Sequence, residues 1–72
     1  MNLEEKIVLL EELMDLEDGT LEASSELEEF EEWDSLSKLS LMAAAKKEFG
    51  KKLTVEEMNM FKTVQDICDY LS

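Results

Sequence analysis

Residues 33–50 read Trp33-Asp34-Ser35-Leu36-Ser37-Lys38-Leu39-Ser40-Leu41-Met42-Ala43-Ala44-Ala45-Lys46-Lys47-Glu48-Phe49-Gly50. Asp34 or Ser35 can cap a helix at its start, Gly50 supplies a stop, and Lys46 and Lys47 stand where cations favour the C-terminal dipole. The stretch predicts a helix running to about Phe49. At about 100° per residue, Leu41, Met42, Ala45 and Phe49 share one arc, with Leu36, Leu39, Ser40, Ala43 and Lys47 roughly opposite. The first arc is expected to be core. The second is too apolar for an idle solvent face and makes a candidate contact surface. Lys38 falls on the inner arc near the helix start, where a long side chain snorkels outward.

Working outward, Asn2 with Glu5 three residues on resembles a capping box, followed by Leu3, Ile7, Leu10, Leu13 and Met14 at helical spacing. A first helix over about residues 2–16 is expected. Asp18-Gly19-Thr20 signals a turn. The stretch from there to Trp33 reads as a long loop pinned by Leu21, Leu27 and Phe30. Thr54 with Glu57 is a second capping-box pattern, opening a short helix with Val55, Met58 and Phe61 as inward candidates. Thr63 starts a last helix whose Val64, Ile67, Cys68 and Leu71 form one apolar stripe. The expected architecture is all-α: a small four-helix bundle with a long first loop, a short third helix, and one domain over 1–72.

Composition narrows the function. A chain of 72 residues buries only about 60% of the surface it exposes unfolded, so a deep cleft between lobes is not expected. The net charge of −12 argues against nucleic acid, which requires clustered cations. The charge is uneven: residues 1–34 hold 14 acids and one Lys, net −13, whereas residues 35–72 hold 5 acids and 6 Lys, net +1. Cys68 is the single cysteine, so the chain has no internal disulfide, and Cys68 is expected to be a packed thiol. No apolar run is long enough for a bilayer and no secretory pattern is present, so a cytoplasmic monomer without membrane insertion is expected.

The chain has no His and no cysteine cluster, which excludes the usual nucleophilic triads and means a zinc site would have to be built almost wholly from carboxylates. Asp15, Glu17 and Asp18 ahead of Gly19 fail the EF-hand spacing. Neither catalytic residues nor a metal site is expected. What remains is Asp34-Ser35-Leu36 at a helix start, where a hydroxyl lies beside unpaired backbone N–H groups and the positive dipole end favours an anion. For the tripeptide alone, simple capping explains as much.

The wider context adds to this. Phe30-Glu31-Glu32-Trp33-Asp34-Ser35-Leu36, Leu41-Met42-Ala43, Glu48-Phe49, Thr63-Val64-Gln65-Asp66-Ile67 and Asp69-Tyr70-Leu71 together resemble the acyl carrier protein family over nearly the whole length. The resemblance implies that a phosphopantetheinyl transferase attaches 4'-phosphopantetheine to Ser35, and that the arm's thiol carries acyl groups as thioesters. Ser35 is then an attachment point, and the chain is not itself an enzyme. The resemblance also implies that Asp34 helps the transferase position magnesium and coenzyme A, and that Leu36 enters partner pockets. Leu41, Met42, Ala45, Phe49 and Ile67 would line an interior able to shelter an acyl chain. Partner contacts would fall on Leu36, Leu39, Ser40, Ala43, Lys46 and Lys47, facing acyltransferases, ketosynthases or acyl-activating enzymes.

This chain departs from the housekeeping fatty-acid-synthase carriers. Glu32 stands where they usually have Gly, Trp33 follows it, and the second helix carries lysines where they carry acids. A specialised carrier for a modified lipid, a polyketide or a cell-surface product fits these departures. An aminoacyl or D-alanyl carrier shares the fold and arm. An unmodified acidic helical adaptor, binding through Leu36, Leu39 and Ala43, is the alternative from another class.

Overall fold

The computed structural model describes residues 2–71, and within them the chain folds as four helices: α1 (Leu3–Leu13), α2 (Ser35–Phe49), α3 (Val55–Met60) and α4 (Val64–Tyr70). Reciprocal capping boxes open three of them, Asn2 with Glu5, Thr54 with Glu57 and Thr63 with Asp66. Each box satisfies two backbone donors that the first helical turn leaves unpaired. Among the described residues there is no strand, and no helix is long and apolar enough to cross a membrane.

The core gathers one stripe from each helix. Leu10 of α1, Leu41 and Ala45 of α2, Met58 of α3, and Val64, Ile67 and Cys68 of α4 are buried together with Leu21 and Leu27 from the long loop. Burying a Leu, Ile or Met side chain contributes about 1.5–3 kcal/mol, so these few positions carry much of the stability of so small a fold. Cys68 is buried as expected, and desolvation raises its thiol pKa.

The loop between α1 and α2 is held by more than its apolar anchors. Leu27 N–H donates to Lys62 O at 2.9 Å, Val64 N–H to Ser25 O at 3.0 Å and Gln65 N–H to Ala23 O at 2.8 Å, which stitches the loop along the start of α4. A single antiparallel bridge joins Glu26 and Thr63, and a 3-10 turn spans Leu27–Glu29. From the other side, the buried Glu11 carboxylate accepts the Leu21 N–H at 2.9 Å. The loop is thus a fixed layer, and it delivers Trp33 and Asp34 to a defined place.

Two ends differ from the sequence-based expectation. Helix α1 stops at Leu13 instead of about residue 16, because Asp15 adopts a left-handed conformation at φ 57. The N–H groups of Asp15 and Leu16 then turn back to Glu12 O and Glu11 O, closing the helix as a Schellman turn. Val55, expected to point inward, is 59% exposed, because a six-residue helix presents only Met58 fully to the core. Phe61 packs half-buried, edge-on to Tyr70, with ring centroids 5.6 Å apart.

No basic residue lies in the last turn of α4, yet its C-terminal carbonyls are served by two lysines from elsewhere. Lys6 Nζ, from α1, donates to Cys68 O at 3.2 Å in a buried position, and Lys51 Nζ donates to Tyr70 O. These cations satisfy orphan carbonyls and complement the negative end of the dipole.

Gly50 ends α2 at φ 65, with its N–H and that of Lys51 reaching back to Lys46 O and Ala45 O. A Cβ at Gly50 would meet nothing within 4 Å, so any cost of adding one is purely conformational. Gly50→Ala is expected to destabilise the fold by about 1–2 kcal/mol. In thermal denaturation this is a fall of about 5–10 °C for a domain of this size. An unchanged melting temperature would contradict the account of how α2 ends.

Candidate functional site

The site begins with how α2 starts. Asp34 is the N-cap: its backbone is extended, and its Oδ1 accepts the Ser37 N–H at 3.0 Å. Ser37 is buried and answers with its own hydroxyl, which donates to Glu32 O. The chain on both sides of residue 35 is therefore tied down, with the Lys38 N–H also bonded to Asp34 O at 3.0 Å. Ser35, between these ties, is exposed in the first turn of the helix.

The same contacts set the charge at this end. The Ser37 N–H holds the Asp34 carboxyl below its ordinary pKa of 3.8, with a lesser contribution from the Leu36 N–H and partial opposition from desolvation. Asp34 is accordingly ionised throughout the neutral range.

Beside Ser35 lies a cavity of about 210 Å³ between α2 and α3, lined by Ser35, Lys38, Leu39, Met42, Val55 and Met58. Apart from the Ser35 hydroxyl and the Lys38 ammonium, its side-chain walls are apolar. Lys38 is half-buried, and its Nζ lies 5.8 Å from the centroid of the Trp33 ring. Trp33 is itself packed against the core, which makes the ring a fixed platform.

The residues singled out from the sequence distribute over three environments. Leu36 and Leu39 are 73% and 60% exposed, Ala43, Lys46 and Lys47 are exposed, and Ser40 is half-buried, so the outer arc of α2 is an open and partly apolar surface. Leu41, Ala45 and Ile67 are fully buried core, and Phe49 packs half-buried against that core. Of the five interior residues, Met42 alone lines the cavity beside Ser35. Toward the end of α2, Met42, Ala43, Lys46, Lys52 and Leu53 border a second groove of about 430 Å³.

Three features were not legible in the sequence. Ser37 gave no signal that it was the buried partner of the cap, since a serine in a first turn is ordinarily solvated. The stacking of Lys38 on Trp33 spans five residues across a turn, a spacing no helical periodicity picks out. Val55 and Met58 became cavity walls only once α3 was placed against α2.

A family model described as a phosphopantetheine attachment site matches residues 7–71. The chain belongs to this family, the phosphopantetheine-binding carriers of the acyl carrier type. Its members bear 4'-phosphopantetheine bound covalently to a serine, and their domains act as carriers for acyl-handling enzymes. No curated protein and no solved structure gives a significant match to the chain. The surroundings of Ser35 fit such a group: an exposed hydroxyl, a rigid turn beneath it, and an apolar hollow alongside.

The lowered pKa of Asp34 has a consequence for stability. The unfolded chain takes up the proton first as pH falls, so the stability owed to the ionised cap is present above about pH 3.8 and is lost as pH falls through the lower folded value. Asp34→Asn keeps a capping oxygen but cannot ionise. The difference in melting temperature between the parent and Asp34→Asn should therefore shrink below pH 3.8. Because it is a difference, titration of the other acids largely cancels. A difference that is flat from pH 6 to pH 2 would contradict the assignment.

Proposed function

We propose that Ser35 is the serine that carries the arm, and that the chain is a specialised acyl carrier. The observation that carries this reading is the placement of Ser35: exposed in the first turn of α2, between two residues locked to the backbone, and at the edge of an apolar cavity. When bound, the arm supplies a terminal thiol on which an acyl group is held as a thioester. The chain's own residues supply position and access.

Ser35 presents its hydroxyl to the transferase without a change in the helix beneath it, because the Asp34 and Ser37 contacts are already made. Asp34 keeps a negative charge next to that hydroxyl, which suits the positioning of magnesium and coenzyme A by the transferase. Leu36 and Leu39 offer exposed apolar side chains to partner pockets, flanked further along α2 by Ser40 and Ala43. Leu39, Met42, Val55 and Met58 offer a hollow for the first part of an acyl chain. Leu41, Ala45 and Ile67 support that wall from behind as core.

The specialised role rests on charge. Lys46 and Lys47 are exposed at the end of the α2 face where housekeeping carriers resemble one another in bearing acids. Positive charge there disfavours enzymes with basic docking patches and favours others, through association rate and register more than through raw affinity.

Incubation with coenzyme A, magnesium and a broad-specificity phosphopantetheinyl transferase is expected to add one arm per chain by intact mass, and Ser35→Ala is expected to add none. Labelling that persists in Ser35→Ala would overturn the assignment of the serine. A parent chain that never gains the arm would favour the unmodified adaptor.

A further inference from the structure

Charge along the sequence ahead of Ser35 is lopsided. From residue 26 to residue 34 the chain carries six acids, Glu26, Glu28, Glu29, Glu31, Glu32 and Asp34, and no Lys or Arg. A phosphodiester attached at Ser35 brings a further negative charge to the edge of this field and is opposed by it. The nearest cation in the sequence is Lys38. Ser35 and Lys38 are three residues apart on one helix, so their Cβ atoms stand about 5–6 Å from each other, and both line the same cavity.

The Lys38 ammonium is not left to wander. It rests 5.8 Å from the centroid of the Trp33 ring, and that ring is held by its packing against the core. An aromatic face holds a partly solvated ammonium only weakly, whereas an ionised phosphate oxygen offers a charge-assisted hydrogen bond of greater strength. The stacked position is therefore a parking place one helical turn from the attachment point.

We infer that Lys38 is a positioning residue for the arm: it leaves the Trp33 ring to pair with the phosphodiester on Ser35, and so holds the base of the arm over the cavity walled by Leu39, Met42 and Val55. This inference rests on the proposal that Ser35 is the attachment serine. It gives Lys38, Trp33 and the acidic loop one shared purpose, since the cation offsets the repulsion that the loop imposes on the modified protein.

Trp33 is the single tryptophan, so its ring current marks Lys38 in solution. The parent, Lys38→Gln and Lys38→Arg are each taken to complete conversion with coenzyme A, magnesium and a transferase, with conversion checked by mass. In the unmodified parent the Lys38 ε-methylene resonance is expected upfield of those of the lysines that face no ring, with Lys51, 5.2 Å from the Tyr70 ring centroid, shifted as well and unaffected by conversion. On conversion the Lys38 resonance should move toward those of the lysines that face no ring. The phosphorus resonance of the converted parent should differ from that of Lys38→Gln. At low salt, conversion should lower the melting temperature of Lys38→Gln by about 2–4 °C more than that of the parent. The excess should fade in high salt, and Lys38→Arg should behave as the parent. If the arm is attached but the Lys38 resonance stays upfield, with the phosphorus shift and melting change equal in parent and Lys38→Gln, the inference fails and the Ser35 assignment stands. If the parent gains no arm, both fall.

Discussion

The site depends on one small lock, the pair of hydrogen bonds by which Asp34 Oδ1 takes the Ser37 N–H and the Ser37 hydroxyl is given to Glu32 O. It fixes where α2 begins, and with it which residue is left exposed in the first turn. Were α2 to begin one residue later, Ser35 would become its N-cap and leave the first turn. The lock also keeps the Asp34 carboxyl ionised, so geometry and charge at the site come from the same contacts.

The remainder of the fold serves to hold that lock in place. The loop that leads into it is fixed by Leu21 and Leu27, by the Glu11 carboxylate and by backbone bonds to the start of α4. Helix α4 is in turn closed by Lys6 from α1 and Lys51 from beyond α2. Lys6 is the one lysine among the first 34 residues, and it is buried on a structural task. The acidic half is thus left with almost no exposed cation of its own. That is the electrostatic setting in which an anion on Ser35, as proposed, would be accommodated, with Lys38 at its border.

Much of this was legible in the sequence because the signals were local. Asn2 with Glu5 and Thr54 with Glu57 act over three residues, and the apolar stripes of α2 and α4 act over one or two turns. The four helices and the position of Ser35 at the start of the second followed from these. What was not legible depended on chain segments far apart: the lysines that close α4, the stitching of residues 23–27 along 62–65, and the cavity walls contributed by Val55 and Met58. The α1 boundary failed for a different reason. Its stop is made by Asp15 in a left-handed conformation, which glycine would have announced and aspartate does not.

On the reading proposed above, this small acidic bundle carries a phosphopantetheine arm on Ser35. The most direct measurement is fragment mass spectrometry of the protein purified from its native host, without added transferase. The account predicts a phosphopantetheine adduct confined to the fragment ions that contain Ser35, with acyl groups, where present, released by hydroxylamine. A chain recovered wholly unmodified, or modified at another serine, would contradict it.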